Sequence, residues 1–175
     1  MSKPAPALRV LAFDTSMGRP GAAVVQVRKG KAEVVAVSHV ATSTKLNHGQ
    51  RAELIDAWAT LFIAQHGPYD VIVREDFVGR TSKQAHPVYA AWGAVDRALN
   101  KFGLTFTTPA IGQAAVKKAV VGAGKAEKDE VAAAVRKWTG YTGEFVVDDE
   151  SDACAIALAY LLREGAVIKR EGAIK

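Results

Sequence analysis

Asp14, Glu75, Asp149 and Asp152 are the residues whose types and settings could do chemistry together. Asp14 closes an apolar run over residues 8–13, and Glu75 closes a second, Val71-Ile72-Val73-Arg74. Asp149 and Asp152 stand three residues apart where a late apolar stretch, residues 153–162, begins. Positions i and i+3 of a helix share a face, so this pair can face one site while the other two project from strand ends. Such a set suits a hard divalent cation: Mg²⁺ takes oxygen ligands, few of them from protein, and leaves room for water and phosphate. Two such ions can activate an attacking water and hold the leaving oxygen in phosphodiester cleavage. Without cations the gathering is costly, because like charges repel and at least one pKa must rise. Of the nearby acids, strand alternation turns Asp76 away from Glu75's side. Glu150, about 100° round the helix from Asp149, is expected to face out. Asp148 stays open as a ligand.

The elements that must position these groups can be read along the chain. Residues 8–14, 21–28 and 32–40 are β-rich runs parted by turn residues and predict a three-stranded antiparallel meander. Asn47 caps a helix to about Gln65, with Ala52, Ile55, Trp58, Ala59 and Phe62 on one stripe. Gly67-Pro68 stops it, and residues 69–75 form a strand apolar enough to be buried on both faces. Residues 81–100 make a second helix whose Ala90, Ala91, Gly93, Ala94 and Ala98 present a smooth surface, either an internal seam or a dimer contact. A strand is expected at 104–107, with Thr108 and Pro109 as N-cap and N1 of a third helix. Helices over 125–138 and 148–163 follow, the last with acids in its first turn, where the helix dipole favours them. No repeat or linker interrupts residues 1–175, so one domain is expected. A loose arm at 1–7 and a frayed basic tail at 165–175 would flank it.

Bulk properties narrow the partners. The 175 residues carry a formal net charge of +5 despite the acidic cluster; a basic body round an acidic site fits a polyanion handled through metal. One cysteine, Cys154, excludes an internal disulfide and a cysteine-built zinc site and points to a reducing, cytoplasmic setting. No apolar stretch approaches the ~20 residues of a membrane span. No Ser-His-Asp arrangement, phosphate-binding glycine loop or dinucleotide fingerprint is present.

The order Asp on the first strand, Glu on the fourth and a late helical acid pair resembles the ribonuclease H-like fold, an α/β mixed five-stranded sheet flanked by helices. Four segments extend the likeness to RuvC-type Holliday junction resolvases. They are Leu11-Ala12-Phe13-Asp14-Thr15-Ser16 with its glycine turn, Ala91-Trp92-Gly93-Ala94-Val95, the Lys-containing stretch 116–128, and Asp149-Glu150-Ser151-Asp152-Ala153-Cys154-Ala155-Ile156-Ala157. The resemblance implies that Asp14, Glu75, Asp149 and Asp152 hold two Mg²⁺ or Mn²⁺ ions per active site, with Asp14 between them. It implies that Lys117 and Lys128 touch the scissile region, among basic neighbours Lys118 and Lys125. Phe77 matches the loop aromatic that stacks on bases at the junction centre, and Arg74, Arg80 and Lys83 flank it along a DNA channel. The expected activity is paired nicking of four-way junctions by a homodimer, because a two-fold substrate calls for two sites related by a matching axis. A branch-migration helicase is an implied partner. The same scaffold also serves nucleases acting on RNA or on other branched DNA, and a junction-binding module without catalysis is the remaining alternative.

Overall fold

The computed structural model describes residues 7–77 and 81–168. The chain runs β1 (Leu8–Asp14), β2 (Gly21–Arg28), β3 (Lys31–His39), α1 (His48–His66), β4 (Val71–Asp76), α2 (Ser82–Asn100), β5 (Ile111–Gly112), α3 (Gln113–Val120), α4 (Lys128–Thr139) and α5 (Asp148–Arg163). The strands form one sheet in the order β3-β2-β1-β4-β5. The first three pair antiparallel as the meander predicts, while β4 lies parallel to β1 and β5 parallel to β4.

β1 and β4 sit inside this sheet with helices on both sides, which explains their continuous apolar runs. Alternation divides their side chains between two cores. Val10 and Ala12, with Val71 and Val73, face the layer of α3, α4 and α5. Leu11 and Phe13, with Ile72, face α1 and α2. The same parity carries Asp14 and Glu75 to the α5 side and Arg74 to the α2 side. The parallel register pairs Phe13 with Arg74, so Asp14 and Glu75 follow side by side on adjacent strands, ~5 Å apart at the backbone.

α5 is buried nearly all round, from Ala153 to Ala159, between the sheet and α3 and α4. Its small residues let it lie close to Ala12 and Ala23 of the strands beneath. The critical approach is at Gly21, which pairs with Asp14 across β1 and β2. A methyl group on Gly21 would overlap the Asp149 carbonyl, so the first turn of α5 can rest on the sheet beside Asp14 only because that side chain is missing.

Several expectations are corrected. The last strand is not at 104–107 but at Ile111–Gly112. The earlier segment runs beside β4, bonded only through Thr107, whose amide donates to the Ile72 carbonyl and whose hydroxyl accepts from the Ile72 amide. The third helix accordingly starts at Gln113, with Gly112 rather than Thr108 at its N-cap. The fourth starts at Lys128 behind Glu127, which forms a capping box with Glu130. Of the smooth α2 residues, Ala91, Ala94 and Ala98 are fully buried in the α1–α2 core, whereas Ala90 and Gly93 are half-buried. The tail does not fray at Gly165; Ala166 bonds back to the Leu161 carbonyl and the Ile168 amide to that of Gly30. Most of the expected arm and the rest of the tail lie outside the described residues.

Candidate active site

At the carboxyl ends of the parallel strands the structure gathers the four acids expected from the sequence. Asp14 is half-buried among crowded neighbours, and its pKa stands well above the usual carboxylate range. Burial is the main cause, followed by the negative charges of Glu75, Asp152 and Asp149, with Lys128 opposing. Glu75 is pushed up to about 7, again chiefly by burial, then by Asp152, while Lys128 and Lys117 pull it down. Asp152 is raised by burial, with the Lys128 hydrogen bond opposing. The placement is set by the backbone: Asp14 and Glu75 follow the Phe13–Arg74 register pair, and the Asp149 carbonyl rests against Gly21, the strand partner of Asp14.

The four carboxylates do not close on a single point. Among the described residues no three carboxylate, imidazole or thiol groups form a ready cage for a metal ion. The reason is electrostatic: two of the acids are turned to cations. Arg19 donates through Nε to Asp149 at 2.8 Å, and Lys128 donates through Nζ to Asp152 at 2.9 Å. Asp14 and Glu75 have neither hydrogen bond nor ion pair among the described residues, and the adjacent Thr15 hydroxyl is buried without a partner. An all-oxygen set with two half-buried carboxylates unpaired among the described residues fits a hard divalent cation. The surrounding side chains disfavour ionisation of Asp14 and Glu75, a cost that a bound cation would offset.

Lys128 is itself informative. A cation in the first turn of a helix opposes the helix dipole, yet Lys128 is the first residue of α4. Burial disfavours its charge, but the Asp152 hydrogen bond and the charges of Asp152, Asp149 and Asp148 outweigh this and raise its pKa. The site, not the helix, selects a lysine here. Lys117, in the last turn of α3, is half-buried and near enough to lower the pKa of Glu75. Lys118 and Lys125 are exposed, as is Lys83 in the first turn of α2. Asp148 is exposed and reaches Lys128 only at 4.0 Å.

Phe77 lines an open cleft of about 680 Å³ with Glu75, Asp76, Gly112 and Gln113. Its ring meets Tyr89 edge-on at 6.5 Å. Arg74 lies on the opposite face of β4 from Glu75. Its guanidinium lies 3.9 Å over the Trp92 ring and 4.4 Å from that of Phe106, with Asp96 at 3.5 Å. Strand parity turned it away from Glu75. Arg80 lies outside the described residues.

Glu150 overturns the expectation that it faces solvent. It is 4 % exposed; one carboxylate oxygen meets His39 Nδ1 at 2.9 Å and the other accepts from the Val146 amide at 2.9 Å. Because α5 is enclosed between two layers, the face that a surface helix would turn outward meets the end of β3 instead. Glu150 thus braces the first turn that carries Asp149 and Asp152. Arg19 and the His39–Glu150 brace were missed in the sequence, where only Ser16 and Pro20 mark the Arg19 turn and nothing links residue 39 to residue 150.

Comparison with known proteins bears on the same region. A family model described as crossover junction endodeoxyribonuclease RuvC matches residues 10–160. A crossover junction endodeoxyribonuclease RuvC of Paenarthrobacter aurescens (strain TC1) is 34 % identical over 165 residues, 90 % of this chain and 83 % of that one. Thermus thermophilus RuvC, solved in complex with a Holliday junction substrate, superposes with a TM-score of 0.77 at 30 % identity, covering 91 % of this chain and 97 % of that one. Fowlpox virus resolvase, solved with Holliday junction DNA, shares the fold with a TM-score of 0.53 at 12 % identity, over 90 % of this chain and 98 % of the viral one.

Proposed function

Because the chain belongs to the RuvC family of crossover junction endodeoxyribonucleases, we propose that it resolves four-way DNA junctions by paired, metal-dependent nicks. The observation that carries this reading is Asp14, a half-buried carboxylate with no partner among the described residues, at the end of the central strand and in the field of three further acids. Asp14, Glu75, Asp149 and Asp152 would hold two Mg²⁺ or Mn²⁺ ions. Such ions supply activation of the attacking water and stabilisation of the leaving 3′ oxygen, giving a 5′ phosphate.

The protein's own part is positioning and charge. β1 and β4 set Asp14 and Glu75 rigidly side by side, and Gly21 with the Glu150 brace seats the turn bearing Asp149 and Asp152. Lys128 and Lys117 bring positive charge to the rim, where a phosphate backbone is held by point charges rather than by base contacts. Phe77, at the mouth of the cleft beside Glu75, would stack on an unpaired base at the crossover, worth ~1–3 kcal/mol. Two copies related by a two-fold axis would match the symmetry of the junction. The half-buried Ala90, Trp92 and Gly93 of α2 would be the part of its surface left to meet a second copy.

The test is a cleavage assay on synthetic four-way junctions, forks, flaps and RNA–DNA hybrids, with Mg²⁺ and with EDTA. Symmetric nicks in the four-way junction alone, abolished by EDTA, are expected. Preferential cleavage of the hybrid would overturn the resolvase reading, and binding without nicking would make the chain a junction-binding module.

A further inference from the structure

Arg19 occupies a place at the carboxylate cluster that neither the family's basic stretch nor the sequence pattern assigns. Its backbone is pinned. The Arg19 amide donates to Ser16 Oγ at 3.0 Å, and Pro20 follows, buried. The same turn is bolted to the segment after β3 and to α1 itself: the Thr42 amide donates to the Gly18 carbonyl at 2.8 Å, and Arg51 Nη2 donates to the Met17 carbonyl at 3.1 Å. The side chain is nonetheless 48 % exposed and ends on Asp149, itself 14 % exposed. Arg19 therefore stands at the mouth of the cluster on a rigid base, with a half-exposed head paired to one of the candidate metal ligands.

Lys128 closes the cluster on Asp152 in the same way from α4. The two cations bracket the acids from opposite elements, the β1–β2 turn and the start of α4. A guanidinium offers a planar fork of donors that matches phosphate oxygens in pairs, where an ammonium offers a point charge.

We infer that Arg19 is a substrate-contacting residue that exchanges partners: it holds Asp149 in the free protein and moves to a backbone phosphate of the DNA when divalent cations neutralise Asp149. This deepens the resolvase reading and rests on it. Arg19 has two opposed effects. It competes with the ions for Asp149, and it supplies the phosphate contact that their arrival makes available.

The test uses the full chain, with Arg19→Ala and Arg19→Lys. Mn²⁺ binding without DNA is measured by calorimetry, and junction binding is measured in Ca²⁺ over a range of salt. Removal of one surface ion pair predicts about two- to fivefold tighter Mn²⁺ binding by Arg19→Ala. Loss of one phosphate contact predicts a salt-dependence slope shallower by about 0.9. Arg19→Lys should keep the slope, since it keeps the charge, while binding the junction more weakly than the parent chain. An arginine that merely clamps the turn would lower the melting temperature and leave Mn²⁺ affinity unchanged or weaker; that result, or an unaltered salt slope, overturns the inference. The parent reading is checked separately: a wild-type chain that neither binds Mn²⁺ nor nicks junctions refutes both. Metal-dependent nicking by wild type together with an Arg19→Ala chain that matches it throughout refutes this inference alone.

Discussion

Asp14, half-buried, and Asp56, buried, are both acids drawn out of bulk water, and their surroundings treat them oppositely. Asp56 lies on α1 with its side chain 9 % exposed, and its two oxygens are taken by Lys101, Arg97 and Thr60. Burial alone would raise its pKa, but the hydrogen bonds from Lys101 and Thr60 and the Lys101 charge outweigh that and hold it below the usual range. Asp14 has no such partners among the described residues, and burial and three neighbouring acids push it up. The first acid is complete within the chain and ties the C-terminal end of α2 to α1. The second is incomplete, and its deficit is what a bound cation would fill. Burial of an acid does not by itself mark function; burial without compensation does.

If the contrast is right, removing each acid should damage different properties. Asp14→Asn should lower junction cleavage by about a thousandfold or more, as expected when a group acting in the transition state is lost. Its junction affinity by gel shift should stay within a few-fold; cleavage near wild type would remove Asp14 from the active site. Next in size is Gly21→Ala. The added methyl forces the Asp149 carbonyl off the sheet, and a displacement of ~1 Å costs about a hundredfold in turnover, with a smaller fall in melting temperature. Unchanged turnover would mean that α5 can shift without disturbing Asp149.

Asp56→Asn should do the reverse of Asp14→Asn. Loss of hydrogen bonds to charged partners costs about 1.5–3 kcal/mol of stability, read by urea denaturation, with cleavage at low temperature unaffected. The smallest effect concerns pH. Glu75's pKa in the folded protein, about 7, lies above its ordinary value of 4.5. The folded state therefore binds the extra proton, and its stabilising contribution is present below pH ~4.5 and lost as pH rises through ~7. In EDTA the melting temperature of wild type should fall over this window; Glu75→Gln should flatten the fall, and Mg²⁺ should restore stability at pH 7.5. A wild-type profile that is flat in EDTA would show that Glu75 is not strained.

Much of this contrast could be read from the chain before its folding. Apolar runs of strand length ending in Asp14 and Glu75 place an acid at the end of a buried strand whatever the fold, because alternation and burial are local. The i, i+3 spacing of Asp149 and Asp152 is likewise a local property of a helix. The meander, the Asn47 cap and the α2 and α5 helices followed from turn residues and periodicity for the same reason. The strand expected at 104–107 failed because its apolar residues serve the α1–α2 core, while the sheet edge took Ile111 and Gly112.

What the sequence alone determined is the inventory: four acids and two lysines, each on an element whose type its neighbours dictate through short-range sterics and hydrogen bonding. What only the tertiary structure decided is their company. Whether Glu150 faces water depends on α5 being enclosed between two layers, and what Arg74 packs against depends on which layer strand parity turns it to. Arg19 and Asp149 meet across 130 residues of chain. Contacts of that range follow from packing and from the demand that every buried charge be balanced, and these are properties of the assembled fold, which no short segment contains.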